Sequence, residues 1–137
     1  MRYPKDMDPE CIPLCDALNS IPGIRTEESC SGHGQHPFKI WFRLRDHAKV
    51  KFLNVVARVF DRRYGGMPDW TCELDCSDLP HRTPCFFISS GYFKGERAYD
   101  HSRRIAENIY YHLGHRAFCR AFLRRRPLRL RRKTCCS

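Results

Sequence analysis

One stretch of this chain decides its fold: Phe38-Lys39-Ile40-Trp41-Phe42-Arg43-Leu44. Large apolar side chains stand at every second position, and Lys39, Trp41 and Arg43 stand between them. This period of two is typical of a β-strand with one buried face. The stretch therefore predicts a strand whose second face carries an aromatic ring between two cations.

The residues before this strand predict a helix and a first strand. Apolar residues at helical spacing indicate a helix over residues 8–19, in which Asp8 is expected to cap the N-terminus and Pro9 to occupy the first helical position. The segment Ile21-Pro22-Gly23 ends this helix, and a strand is predicted over residues 24–31. A turn rich in glycine and histidine then leads to residues 38–44.

The same order of elements then repeats. Residues 46–64 have an apolar stripe at helical spacing, and strands are predicted over 70–76, with Trp70, Cys72, Leu74 and Cys76 pointing inward, and over 85–90. A last helix is predicted over 96–113. Short loops make each strand pair antiparallel, so the sequence predicts an α+β fold: a two-layer sandwich of one helix followed by two ββα halves, with an antiparallel sheet and helices on one face.

The charge of the chain is concentrated at its C-terminal end. The net charge is +10, but residues 115–137 hold nine of the 25 Lys and Arg residues and no acidic residue, which leaves 16 basic and 15 acidic groups in residues 1–114. We therefore expect one α+β domain over 1–114 and a basic, disordered tail over 115–137 that binds polyanions without sequence specificity. Seven closely spaced cations would carry that binding: Arg124, Arg125, Arg126, Arg129, Arg131, Arg132 and Lys133.

The nine cysteines do not have the pattern of a disulfide framework. Their number is odd, and Cys135 and Cys136 are adjacent. Reduced cysteines indicate a reducing compartment. With no apolar run of membrane-spanning length and no leader segment, the sequence predicts a cytoplasmic protein without a membrane partner.

The turn between the first two strands has the composition of a functional site. The segment from Ser29 to Pro37 contains one thiol, two imidazoles and two glycines, and glycine lets a backbone approach a ligand closely. We predict Cys30 and His33 as catalytic residues, because a thiol beside an imidazole is a common nucleophile. The residues predicted to contact a ligand are Ser29, Gly32, Gly34, His36 and Trp41.

Two alternatives for this turn stay open. In the first, Cys30 shares the inward parity of Ile24 and is a buried core residue, which is the common position of a free cysteine. In the second, Cys30, His33 and His36 bind a metal ion. Structural zinc sites use four ligands and the chain has no Cys-x-x-Cys pair, so we expect no metal and no cofactor.

Two functions follow from these residues. The first is an enzyme or ligand-binding protein in which Cys30 and His33 act on a small molecule or a modified base. The second is a non-catalytic binding module that holds nucleic acid or a partner protein through the Trp41 face and the basic tail. The sequence does not indicate an oligomeric state.

The N-terminal third resembles an uncharacterised family of small bacterial and phage proteins. The resemblance rests on a helix ending in Asn19, on Thr26 followed by Ser29-Cys30-Ser31-Gly32-His33, and on the aromatic strand after it. It implies a site at this element in a protein of bacterial or phage origin. The Ser-Cys-Ser-Gly part is also similar to an element of the wybutosine-synthesis methyltransferase family, which modifies a guanine in tRNA and has Arg at the position of His33. The order of elements is similar to that of pterin carbinolamine dehydratases, as a likeness of fold only.

Overall fold

A computed structural model of the chain describes residues 3–45, 69–75 and 83–113. In chain order, its elements are a 3-10 turn Pro9–Cys11, helix α1 Ile12–Asn19, strand β1 Ile24–Cys30, a 3-10 turn Gly32–Gly34, strand β2 Lys39–Leu44, strand β3 Thr71–Leu74, strand β4 Cys85–Ser89 and helix α2 Gly95–His112. The helix predicted over 46–64, the position of Cys76 and the tail over 115–137 lie outside the described residues.

The four strands form one antiparallel sheet in the order β1-β2-β4-β3. Each predicted hairpin is present, and the hairpins join where β2 pairs with β4, with Trp41 opposite Phe87. This arrangement confirms the predicted α+β fold with an antiparallel sheet.

The core lies between the sheet and the two helices. Phe38, Ile40, Phe42 and Leu44 are all buried, as the period-2 pattern predicts. They form one cluster with buried residues of both helices, namely Leu14, Cys15, Leu18, Ala98, Ile105 and Ile109. The alternate side chains of β2 therefore lie on the face of the sheet away from the helices.

The edge strand β3 differs in part from its predicted burial. Trp70 before it is buried and Cys72 is half-buried, but the side chain of Leu74 is 42% exposed. Leu74 pairs with Phe86 and Phe86 with the buried Phe42, so Leu74 lies on the helix side of the sheet as predicted. Because β3 is an edge strand, its far end receives little cover and Leu74 is not buried. Burial, and then the neighbouring charge of Glu73, raise the pKa of Cys72 to about 12, so this thiol stays protonated at neutral pH.

A polar clamp fixes α1 on β1 and so positions the chain that leads to the turn. The side-chain oxygen of Asn19 accepts a hydrogen bond from the backbone N–H of Thr26 at 2.9 Å, and its amide nitrogen donates to the Thr26 hydroxyl at 2.8 Å. Thr26 is buried, so these bonds satisfy polar groups that have lost access to water.

Both helices among the described residues lack the combination of length and apolar character needed to cross a bilayer.

Candidate functional site

A β-bulge in β1 decides where Cys30 lies. Thr26 pairs with Phe42, but Glu28 pairs with Trp41, so Glu27 is an extra residue in this strand. One extra residue reverses the faces of all residues that follow it. Cys30 is therefore opposite Lys39, on the face away from the helices, and its side chain is half-buried. The alternative that Cys30 continues the inward parity of Ile24 is wrong.

The Asp8 side chain contacts the turn after β1 instead of capping the helix that follows it. The sequence predicts its side chain as a helix cap, but no capping hydrogen bond forms, although Pro9 does begin the 3-10 turn. Instead Asp8 Oδ2 accepts a hydrogen bond from the backbone N–H of Ser31 at 2.8 Å. The carboxylate is thereby held against the end of β1, 23 residues away in sequence.

The turn itself adopts an uncommon backbone. Gly32, His33 and Gly34 all have positive φ angles, of 79°, 51° and 79°. A Cβ atom on Gly32 would lie 3.0 Å from the Pro37 carbonyl oxygen, so this close approach requires glycine. His33 has no such freedom, and a left-handed backbone costs a non-glycine residue about 1–2 kcal/mol. Such strain tends to occur at functional sites.

These constraints bring three side chains of different chemistry together. One ligand atom each of Asp8, Cys30 and His33 lies within 4.8 Å of the other two. His33 Nδ1 is 3.9 Å from Asp8 Oδ1, and the His33 side chain is 70% exposed while that of Asp8 is 22% exposed. We call these three residues the turn cluster. It combines a carboxylate, a thiol and an imidazole at a surface that small molecules can reach.

Backbone amides also orient the sulfur atom of the turn cluster. The N–H of Gly32 donates to Cys30 Sγ at 3.4 Å, a distance typical of a weak hydrogen bond to sulfur. The N–H of His33 donates to the Ser31 hydroxyl, which is buried. These two hydrogen bonds hold the backbone of the turn against the Cys30 and Ser31 side chains.

The other residues predicted at the site have different positions. His36 is exposed and is not part of the turn cluster. Ser29 pairs with Ile40 and so lies on the helix side of the sheet, opposite to Cys30. Gly34 lies against Gly95 at the start of α2, where a Cβ on Gly95 would be 3.8 Å from the Gly34 Cα. The structure thus joins Cys30 and His33 but separates both from Ser29 and His36.

Trp41 belongs to a neighbouring aromatic patch on the same open face. Its ring lies 6.2 Å from that of Phe87, and Lys39 Nζ lies 6.0 Å from the Trp41 ring and 5.2 Å from the Phe87 ring. Phe87 pairs with Trp41, which places both rings on the face of the sheet away from the helices. The neighbouring cation Arg43 is bound to Glu27 at 3.2 Å and to the Thr83 carbonyl oxygen.

Sequence reasoning missed Asp8 as a site residue. Its signal, an acidic residue before proline, is that of a helix start, and only the folded chain brings it beside Cys30. Comparisons of the chain with protein families, with curated proteins and with solved structures return no match.

Proposed function

We propose that the turn cluster is a small-molecule site whose reactive group is the Cys30 thiol, with His33 and Asp8 beside it. Its ligand would be a small electrophile or a modified nucleobase. The observation that carries this proposal is the mutual approach of the three side chains within 4.8 Å at an exposed turn.

The surroundings of Cys30 support a chemical rather than a packing role. The bulge at Glu27 removes it from the helix side of the sheet, whereas Cys11 and Cys15 are buried in the core cluster. An imidazole close to a thiol can accept its proton, and the resulting thiolate can attack an electrophilic carbon. His33 keeps an unfavourable backbone conformation in the same place. These features together favour a site over a simple chain reversal.

A second candidate function rests on the aromatic patch. Lys39 over the rings of Trp41 and Phe87 offers a surface to which an aromatic or acidic partner could bind. Glu28 and Glu73 pair with Trp41 and Phe87, and Arg43 is engaged by Glu27, so the patch has acidic neighbours that would repel a phosphate backbone. This charge pattern favours a protein partner over nucleic acid. The basic tail would then supply separate binding to polyanions.

The dependence of thiol chemistry on His33 tests the proposed function. In chelator-treated full-length protein, we expect His33→Asn to slow alkylation of Cys30 by iodoacetamide several-fold, because the neighbouring base is lost. Asparagine tolerates a left-handed backbone, so the turn should keep its shape. The rate is measured by timed labelling and peptide mass spectrometry.

The matched control is His36→Asn, which removes an exposed imidazole of the same turn that lies outside the turn cluster. This variant should label at Cys30 as fast as the unmodified sequence. If both variants left the rate unchanged, His33 would have no chemical connection with Cys30 and the proposal would fail.

A further inference from the structure

We infer that the turn cluster binds a zinc ion through one carboxylate oxygen of Asp8, the sulfur of Cys30 and one imidazole nitrogen of His33. This inference rests on the proposed function, because it names the ion that would occupy the same site. It contradicts the expectation of no metal, which considered Cys30, His33 and His36 and did not include Asp8.

The shape of the turn cluster distinguishes a metal site from a catalytic triad. In a triad the imidazole stands between the nucleophile and the carboxylate and uses both of its nitrogen atoms, so the outer two groups lie far apart. Here the atoms of Asp8 and Cys30 are within 4.8 Å of each other as well as of His33. Three ligand atoms at the corners of one triangle surround a common centre, which is the arrangement that a single ion requires.

The distance between Asp8 and His33 requires only a small contraction to fit a zinc ion. Bonds of about 2.0–2.3 Å at tetrahedral angles place zinc ligand atoms roughly 3.3–3.6 Å apart. His33 Nδ1 and Asp8 Oδ1 are 3.9 Å apart. The His33 side chain is largely exposed, so it can turn inward without disturbing the core. The separation of Asp8 and His33 is therefore close to the value that zinc imposes, and the separations from Cys30 Sγ lie within 4.8 Å.

The donor set favours zinc among the common cations. A thiolate and an imidazole suit zinc, whereas magnesium and calcium bind almost entirely to oxygen atoms. Three protein ligands leave the fourth tetrahedral position open for water or for an atom of a small molecule, as in catalytic zinc sites. On binding, Cys30 would release its proton to solvent and coordinate as the thiolate.

Hydrogen bonds around the turn cluster support its ligands. The Ser31 N–H bonds Asp8 Oδ2 and leaves Oδ1 directed toward His33, while the Gly32 N–H bonds Cys30 Sγ. Metal ligands are commonly held by outer hydrogen bonds of this kind, which fix their orientation. Two of the three ligands are thus already fixed by backbone groups.

Zinc content and thiol protection in the full chain test the inference. Chelator-treated protein is equilibrated with zinc, and bound metal is measured by elemental analysis. We expect Cys30→Ser to lose about one zinc per chain relative to the unmodified sequence. Asp8→Asn and His33→Asn should each weaken binding by about tenfold or more, since loss of even an outer partner commonly costs roughly 10–100-fold. Bound cobalt should give a thiolate charge-transfer band that Cys30→Ser abolishes.

The controls are Asp6→Asn and His36→Asn, which remove an exposed carboxylate and an exposed imidazole close to the cluster. Both should bind zinc as the unmodified chain does, and magnesium should not compete. Circular dichroism checks that each variant is folded. If Cys30→Ser does not fold, His33→Asn still tests the inference, because the His33 side chain is exposed and its replacement should not disturb the core. Zinc content unchanged in both Cys30→Ser and His33→Asn would overturn the inference.

Labelling of Cys30 separates this inference from the proposed function. Zinc should slow alkylation of Cys30, and magnesium should not. Rapid, His33-dependent labelling that zinc leaves unchanged would overturn the zinc site and retain the reactive thiol. Slow labelling of Cys30 in the metal-free chain, together with zinc loss in the variants, would support the zinc site and reject the reactive thiol.

Discussion

His33 is the residue at which backbone strain and chemistry coincide. It has a φ angle of 51° between two glycines with left-handed backbones, and its imidazole contributes to the turn cluster. An exposed histidine gains little from packing, so stability alone does not explain a side chain there. Asp8 differs from His33, because its carboxylate accepts a hydrogen bond from the Ser31 amide instead of capping the helix.

Replacement of His33 by glycine should separate function from stability. Glycine removes a backbone cost of about 1–2 kcal/mol but loses about 0.5–1 kcal/mol through its freer unfolded chain. His33→Gly should therefore leave the free energy of unfolding unchanged or raise it by up to about 1.5 kcal/mol, while zinc binding falls. Urea denaturation measures the first quantity. A loss of more than about 1 kcal/mol would show that His33 is a structural residue.

Helix α2 is connected to the entrance of β3 through His101. Trp70 Nε1 donates a hydrogen bond to His101 Nδ1 at 3.2 Å, and the Phe93 ring lies 4.5 Å from the imidazole ring. Burial, then the charges of Arg104 and Arg97, lower the pKa of His101 below 6.5, against the opposite effect of Asp100 and Asp69. Because Nδ1 accepts a hydrogen bond from the Trp70 indole N–H, it must be unprotonated, so the folded chain favours the neutral imidazole.

This lowered pKa predicts acid sensitivity. Below pH 6.5 the unfolded chain binds a proton at His101 more readily than the folded chain does, so the free energy of unfolding falls as the pH decreases toward the lower folded pKa. His101→Gln offers Trp70 an acceptor that does not titrate. Denaturation between neutral pH and about pH 5 should show a shallower pH dependence for this variant. Identical slopes for the two chains would refute the assignment.

Sequence reasoning succeeded where a local pattern was regular and failed where the fold interrupted it. Alternation between Phe38 and Leu44 has one interpretation, and the strand forms as predicted. The bulge at Glu27 has no glycine or proline to indicate it, so the face of Cys30 could not be predicted from Ile24. Asp8 meets Cys30 only through tertiary contact, and Leu74 is exposed because β3 is an edge strand. The local sequence pattern therefore predicted the helices and strands, whereas the candidate site forms only through tertiary contacts.

At the scale of the whole molecule, the described residues form one sheet with helices on one side and the turn cluster at the end of β1. The opposite face carries the aromatic patch with its acidic neighbours. The excess positive charge of the sequence lies in residues 115–137. The chemistry proposed at the turn and the polyanion binding predicted for the tail involve different residues, so we expect a variant of the turn cluster to leave salt-sensitive polyanion binding unchanged.

Native-state alkylation of the cysteines tests the central claim most directly. We expect Cys30 of the metal-free full-length protein to react with iodoacetamide at least about tenfold faster than Cys11, Cys15 and Cys72. Cys11 and Cys15 are buried and need local opening of the structure first, whereas Cys72 is half-buried like Cys30 and is slowed by staying protonated. Cys72 is the sharpest reference, since its raised pKa of about 12 keeps it protonated. Timed labelling with peptide mapping gives all four rates in one experiment. Protection of Cys30 to the level of Cys11 and Cys15 would contradict a site at this thiol and favour the binding module.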